Sequence, residues 1–90
     1  MARQKVVYIL SYCATEGRAV LHHRIAAFST FARAYNAMAE EVDYWYSQGG
    51  HLLIERYNDP DIARATHAYI EMLLPDGSFC PIYITPSYVN

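Results

Sequence analysis

Histidine, glutamate and cysteine are the residue types in this chain whose positions could support chemistry. His22, His67 and Glu71 would form a metal-binding or acid–base set if the strands that carry them adjoined on one face of a sheet. His22 and His23 are consecutive, and consecutive strand residues point to opposite faces, so this pair is not expected to share an ion. Nothing in the sequence shows that the three strands adjoin, and we therefore predict no catalytic residue, no metal site and no cofactor.

The two cysteines, Cys13 and Cys80, are expected to be small buried thiols. Two cysteines without a secretory signal favour reduced thiols and a cytoplasmic location. The apolar run at residues 6–10 is too short for a signal-peptide core or a membrane span.

Length and charge limit the classes of protein further. Ninety residues predict one domain, 1–90, and 53% apolar with 18% charged residues is a normal globular balance. The net charge of −2 and the scattered basic residues argue against a general nucleic-acid binder, which needs a basic stripe. A chain this short buries only about 60 to 65% of its unfolded surface, so association with another chain is a plausible supplement to its stability.

One amphipathic helix is predicted at residues 30–48. Ser29 or Thr30 is a suitable N-cap, and Gly49-Gly50 is a typical helix end. Apolar residues recur at spacings of three and four along one side, namely Phe31, Ala34, Tyr35, Met38, Val42 and Trp45. A rival interpretation extends this helix back to Arg18, but the alternating pattern before Ser29 disfavours it.

Five strands complete the predicted fold. β-Branched and aromatic runs, interrupted by turn residues, predict strands at residues 6–13, 18–28, 52–57, 66–74 and 79–85, with one helical turn at 62–65. Pro75-Asp76-Gly77 is the strongest turn signal. The predicted fold class is α+β, a five-stranded antiparallel sheet with one helix packed on one face, in the order β-β-α-β-β-β.

The turns predict which side chains share a face of the sheet. We expect Ala14 to pair with Arg18 in the first hairpin and Leu74 with Ser78 in the last. The aliphatic sets then belong under the helix, and they comprise Val7, Ile9, Leu21, Ile25, Ile70, Met72, Ile82 and Ile84. The other face carries Tyr8, Tyr12, His22, Arg24, Tyr69, Glu71 and Tyr83.

Tyrosine provides the functional signal in this sequence. One helix covers one side of a sheet, and tyrosine is enriched at protein interfaces. The nine tyrosines therefore favour a partner-binding face, although tyrosines on a solvated sheet would give the same pattern. Glu40, Glu41 and Asp43 form a second candidate, either a solvated helix face or an anionic docking surface. Trp45 is expected to anchor the core, with Tyr44 and Tyr46 exposed.

The favoured function is a non-enzymatic binding module that docks on another protein, with no membrane and no nucleic acid involved. Ten residues are predicted to bind this partner, namely the seven on the uncovered sheet face (Tyr8, Tyr12, His22, Arg24, Tyr69, Glu71 and Tyr83) and the three acidic residues of the helix (Glu40, Glu41 and Asp43). In character the chain resembles small phage or mobile-element proteins that inhibit host defence, such as anti-CRISPR proteins; these share no motif, so no residue is carried over. One alternative is a homo-oligomer, such as a homodimer, that encloses a nucleotide-like ligand between tyrosines, His22, Arg24 and Glu71. A second is a small hydrolase or nuclease, and an RNA-recognition sheet ranks last because it needs two helices and basic flanks.

Overall fold

The computed structural model describes residues 5–16 and 19–89, and it describes the side chains of residues 5–12 and 25–88. The elements follow the predicted order, and they are β1 (Lys5–Glu16), β2 (Ala19–Phe28), α1 (Phe31–Ser47), β3 (His51–Tyr57), a 3₁₀ turn (Ile62–Arg64), β4 (Ala68–Leu73) and β5 (Phe79–Val89). The five strands form one antiparallel sheet in the spatial order β2-β1-β5-β4-β3. The α+β fold class is confirmed.

Helix α1 begins and ends where its capping residues predict. Thr30 is the N-cap, and its side-chain oxygen accepts a hydrogen bond from the Arg33 backbone N–H at 3.2 Å. Gly49 follows the C-cap with φ +92°, and its N–H donates to the Tyr46 carbonyl at 3.1 Å. Because β2 occupies Ala19–Phe28, which the rival interpretation places in the helix, the rival long helix is wrong. Among the residues that the structure describes, no helix is long and apolar enough to cross a membrane.

The core lies between α1 and one face of the sheet. Phe31, Ala34, Met38 and Trp45 of the helix are buried, and Trp45 is the core anchor that the spacing predicts. The sheet contributes the side chains of Leu10, Tyr12, Ala68, Ile70, Met72, Cys80, Ile82 and Ile84. Of the two predicted buried thiols, Cys80 is confirmed, whereas the Cys13 side chain lies outside the described residues.

The β4–β5 hairpin has the predicted register. The Leu74 N–H donates to the Ser78 carbonyl at 2.8 Å, and Ile70 pairs with Ile82. β5 continues four residues beyond the predicted end at 85 and pairs there with β1. Pro86 is tolerated within β5 because the pairing of β5 with β4 ends at Ile84, and proline is accepted where a strand is paired on one side only.

The β1–β2 hairpin differs from its predicted register by four residues. Tyr12, expected opposite Val20, pairs with Arg24, and Ser11 pairs with Ile25. The strands extend to Glu16 and Ala19, where the register differs from the predicted one by three residues, and an irregularity between Ala14 and Thr15 accounts for the fourth. Ala14, Thr15 and Glu16, expected in a turn, are therefore strand residues, while the predicted turn residue Gly17 lies outside the described residues.

The first hairpin also presents the opposite face to the helix from the one expected. Leu10 is 0% and Tyr12 3% exposed, whereas Ile25 is 65% exposed. Directly paired residues in a sheet project to the same side, and β5 pairs Leu10 with Ile84 and Tyr12 with Ile82. These two partners belong to the buried set of the second hairpin, so pairing with β5 turns Leu10 and Tyr12 under the helix. Val7 and Ile9, predicted under the helix, consequently lie on the other side, and the Leu21 side chain is outside the described residues.

Candidate functional site

The sheet surface that faces away from α1 is the candidate site. We call it the open face, and its residues, which alternate with the buried ones, include Lys5, Val7, Ile9, Ser11, Ile25, Arg56, Tyr69, Glu71, Phe79, Tyr83 and Thr85. One row of directly paired side chains crosses all five strands in the order Arg56, Tyr69, Tyr83, Ser11, Ile25. At about 4.8 Å between strands, this row is about 19 Å long.

Large apolar side chains of the open face are exposed. Ile25 is 65%, Phe79 52%, Tyr83 40% and Tyr69 39% exposed. Scattered single apolar residues on a surface are ordinary, but several on one flat face form a patch of the kind found at interaction sites.

The ten residues predicted to bind a partner divide among different parts of the molecule. Tyr69, Glu71 and Tyr83 lie on the open face. Tyr8 and Tyr12 do not, and placing them there was wrong: Tyr12 is buried, and the ring of Tyr8 meets Phe31 of the helix at a centroid distance of 5.9 Å. The side chains of His22 and Arg24 lie outside the described residues.

The predicted acidic patch lies on α1, on the opposite side of the molecule from the open face. Glu40 and Asp43 are exposed and Glu41 is half-buried. Tyr44 and Tyr46 are exposed beside them, as expected. A flat partner can contact the helix or the open face but not both, so the ten residues cannot form one interface.

The proposed acid–base set is not assembled in the part that can be described. His67 and Glu71 are four positions apart along one chain segment, which is about 13 Å in extended backbone, too far to share a proton or an ion. Within residues 5–12 and 25–88, whose side chains are described, no group of three His, Cys, Asp or Glu residues could hold a metal ion. The geometry therefore gives no support to the hydrolase alternative.

A shallow cavity of about 540 Å³ lies on the open face where β3, β4 and β5 meet the segment that precedes β4. Its lining consists of Arg56, Tyr57, Asn58, His67, Ala68, Tyr69, Tyr83, Ile84 and Thr85. The sequence predicted Tyr69 and Tyr83 as partner-binding residues and named His67 in the acid–base set, but it identified neither Arg56 nor Asn58 as a site residue. Alternation along β3 would have placed Arg56 beside Tyr69, had the β3–β4 pairing been predicted.

Hydrogen bonds fix the His67 end of this cavity. Asn58 Oδ1 accepts from the backbone N–H groups of Thr66 (2.9 Å) and His67 (3.0 Å), and Asn58 Nδ2 donates to Thr66 Oγ1 at 2.9 Å. Thr66 Oγ1 in turn lies 2.9 Å from His67 Nδ1. The side chain of Asn58 thus closes the loop between β3 and β4 and orients the imidazole.

Tyr57 follows Arg56 along β3, and its side chain, which packs on the helix side of the sheet, has an altered acidity. Its hydroxyl donates to Glu55 Oε1 at 2.6 Å. Burial, followed by this hydrogen bond and the negative charge of Glu55, raises the pKa of Tyr57 far above the ordinary tyrosine value. The phenol therefore remains a neutral hydrogen-bond donor at any physiological pH.

Comparison with known proteins does not assign this surface. No protein-family model matches the chain, and no curated protein and no solved structure shows significant similarity to it. The inference of function therefore depends on the open face and its cavity.

Proposed function

We propose that this chain is a non-catalytic binding module that docks on another protein through its open face. The observation that carries the proposal is the row from Arg56 to Ile25 with its exposed Tyr69 and Tyr83. Aromatic side chains with an adjacent arginine are the typical composition of interface centres.

The dimensions of the open face suit a protein partner. Five strands about 4.8 Å apart, taken over the roughly seven residues along which neighbouring strands pair, give a projected area on the order of 600 Å². Because side chains project from the sheet, the accessible area is larger than the projected area and approaches the roughly 800 Å² per partner of a standard interface. Small ligands need far less surface than this.

The charge of the open face indicates the chemistry of the partner. Lys5 and Arg56 lie on this face with Glu71, whereas Glu40 and Asp43 are on the helix side. The chain is acidic overall, with a net charge of −2, but the part of the open face whose side chains are described is not. The favoured partner presents an apolar patch with carboxylates beside it, because these would pair with the cations.

Inhibition of a host protein is the role that we propose for this docking. A module that covers about 800 Å² of a protein excludes other partners from that surface. This mechanism needs no chemistry from the module, and it suits the phage or mobile-element character that the sequence favours.

Capture of the partner with two matched variants tests the proposal. Phe79→Lys alters the open face and Tyr46→Lys alters the helix side, and the two aromatic rings are similarly exposed, at 52% and 48%. In capture from a bacterial lysate, wild type and Tyr46→Lys should retain the same protein, and Phe79→Lys should retain at least tenfold less. Titration of that purified protein should then reproduce the difference.

Two outcomes would overturn the proposal. Loss of capture in Tyr46→Lys with retention in Phe79→Lys would assign docking to the helix side. A wild-type mass of two chains in light scattering, reduced to one chain by Phe79→Lys, would show that a second copy occupies the open face.

A further inference from the structure

The cavity on the open face has the features of a small-molecule site in its own right. Its volume of about 540 Å³ is within the range of about 300 to 1,000 Å³ typical of ligand pockets. On the open face, the rings of Tyr69 and Tyr83 contribute aromatic surface to the lining, and Arg56, Asn58, His67 and Thr85 contribute polar groups; this mixture is also typical of such pockets. Docking of a protein on the open face does not by itself explain why this region is concave or why its lining mixes aromatic and polar residues.

Arg56 supplies a positive charge to the cavity lining. It lies directly opposite Tyr69 on the neighbouring strand, and Tyr69 lies opposite Tyr83. The structure gives Arg56 no ion pair with any residue whose side chain it describes, since the ion pair there joins Arg64 and Asp61. A guanidinium beside two aromatic rings can bind a planar oxyanion with two parallel hydrogen bonds.

His67 supplies a second polar group, which is already oriented. Thr66 Oγ1 accepts from Asn58 Nδ2 and lies 2.9 Å from His67 Nδ1. When the hydroxyl donates this second hydrogen bond, the neutral imidazole carries its proton on Nε2, and Nε2–H is then the ring group available to a ligand in the cavity. Because Asn58 also accepts from the His67 backbone N–H, the ring needs little ordering when a ligand binds.

We propose that this cavity binds a small planar aromatic molecule that carries one anionic group, with a mononucleotide as the favoured class. Arg56 binds the phosphate or carboxylate, and His67 Nε2 donates a hydrogen bond to it. The aromatic ring of the ligand lies against Tyr69 and Tyr83 and stacks on them as nucleic-acid bases stack on aromatic side chains. The proposal does not depend on the docking of a protein partner.

Titration of the ¹⁵N-labelled chain, followed by amide chemical shifts, tests the site directly. Adenosine 5′-monophosphate should shift amides at residues 56–58, 67–69 and 83–85 and bind at least tenfold more tightly than adenosine or inorganic phosphate. 2-Naphthoate, an aromatic carboxylate, distinguishes the two sources of the anion, because binding equal to that of the nucleotide would show that the ring and charge suffice.

Matched variants locate the anion contact. Arg56→Gln should weaken binding of the nucleotide at least tenfold and leave adenosine binding unchanged, whereas Arg33→Gln, on the exposed helix surface, should change neither. The amide spectrum of each variant reports whether it is folded. Phe79→Lys does not alter the cavity lining and should bind the nucleotide normally even if it loses the protein partner.

Three results would overturn the proposal. The first is no amide shift at these residues with up to 10 mM nucleotide or naphthoate. The second is phosphate binding as tight as that of the nucleotide, which would indicate a charged surface without a ring site. The third is equal loss of affinity in Arg56→Gln and Arg33→Gln.

Discussion

At the level of single residues, a few side-chain hydrogen bonds organise the cavity edge. Asn58 satisfies two backbone N–H groups and one hydroxyl, which ties residues eight and nine positions away to the end of β3. Its sequence context, Asn58-Asp59-Pro60, indicates a turn but does not indicate these distant partners. The ring of Tyr35 lies 6.1 Å from that of Tyr57, so the half-buried side chain of Tyr57 packs between the helix and the sheet.

The acidity of Tyr57 is a prediction at this scale. Folding raises the pKa of this phenol, so the associated stability is fully present below about pH 10, the ordinary tyrosine value, and is lost as the pH rises towards the folded pKa. In ¹³C-tyrosine spectra, the Tyr57 resonance should not titrate near pH 10 in the folded chain and should do so in urea.

Glu55→Gln is the control for the cause. It removes the hydrogen-bonded charge but not the burial, so the pKa of Tyr57 should fall without returning to the unfolded value. Titration of Tyr57 near pH 10 in folded wild type would contradict its partial burial and its hydrogen bond to Glu55. Tyr57→Phe should remove the loss of stability in alkali that this group causes.

At the level of elements, helix α1 depends on close backbone packing just after its C-terminus as well as on its apolar stripe. The Gly50 N–H donates to the Trp45 carbonyl at 2.7 Å. A Cβ on Gly50 would lie 2.9 Å from that carbonyl oxygen and 3.1 Å from the Leu73 carbonyl oxygen. Both contacts are with backbone, which cannot move aside as a flexible side chain can.

Alanine at two glycines separates crowding from backbone strain. Gly77 has φ +88° with open space around it, so Gly77→Ala should cost about 1 kcal/mol of unfolding free energy from strain alone. Gly50→Ala should cost about 2 kcal/mol or more, because β4 or the helix end must shift. Urea unfolding of both variants measures the difference, and equal costs would show that the helix exit tolerates a side chain.

At the level of the whole molecule, the sheet has one face buried by the helix and one left open. β1, β5 and β4 are interior strands, and β2 and β3 form the two edges. Helix α1 connects these edges and covers a single side. The interior position of β1 aligns its residues with β5, and this alignment decides which of its side chains enter the core.

Substitution of adjacent β1 residues tests that assignment. Leu10→Ala should cost about 2 to 5 kcal/mol of unfolding free energy, because Leu10 is fully buried. Ile9→Ala should cost about 1 kcal/mol or less, because Ile9 is half-buried on the open face. Urea unfolding at low micromolar protein, where contacts between copies contribute least, gives both values. A larger cost for Ile9 than for Leu10 would restore the opposite orientation of the first hairpin.

The sequence by itself determined the features that depend on local signals. The caps and apolar spacing of α1 locate it to within one residue at each end, since they act within one helical turn. Pro75-Asp76-Gly77 sets the register of the β4–β5 hairpin, because a short turn leaves few ways to pair the strands. Alternation along β4 and β5 likewise identified Tyr69, Glu71 and Tyr83 as open-face residues.

Only the tertiary structure decided which side of the first hairpin meets the helix. Both sides of β1 are apolar, with Val7 and Ile9 on one and Leu10 and Tyr12 on the other, so alternation shows that they separate but not which set is buried. Pairing with β5, which is more than sixty residues away along the chain, makes that choice. The cavity has the same kind of origin, because Arg56, His67 and Tyr83 come together only through the pairing of β3, β4 and β5.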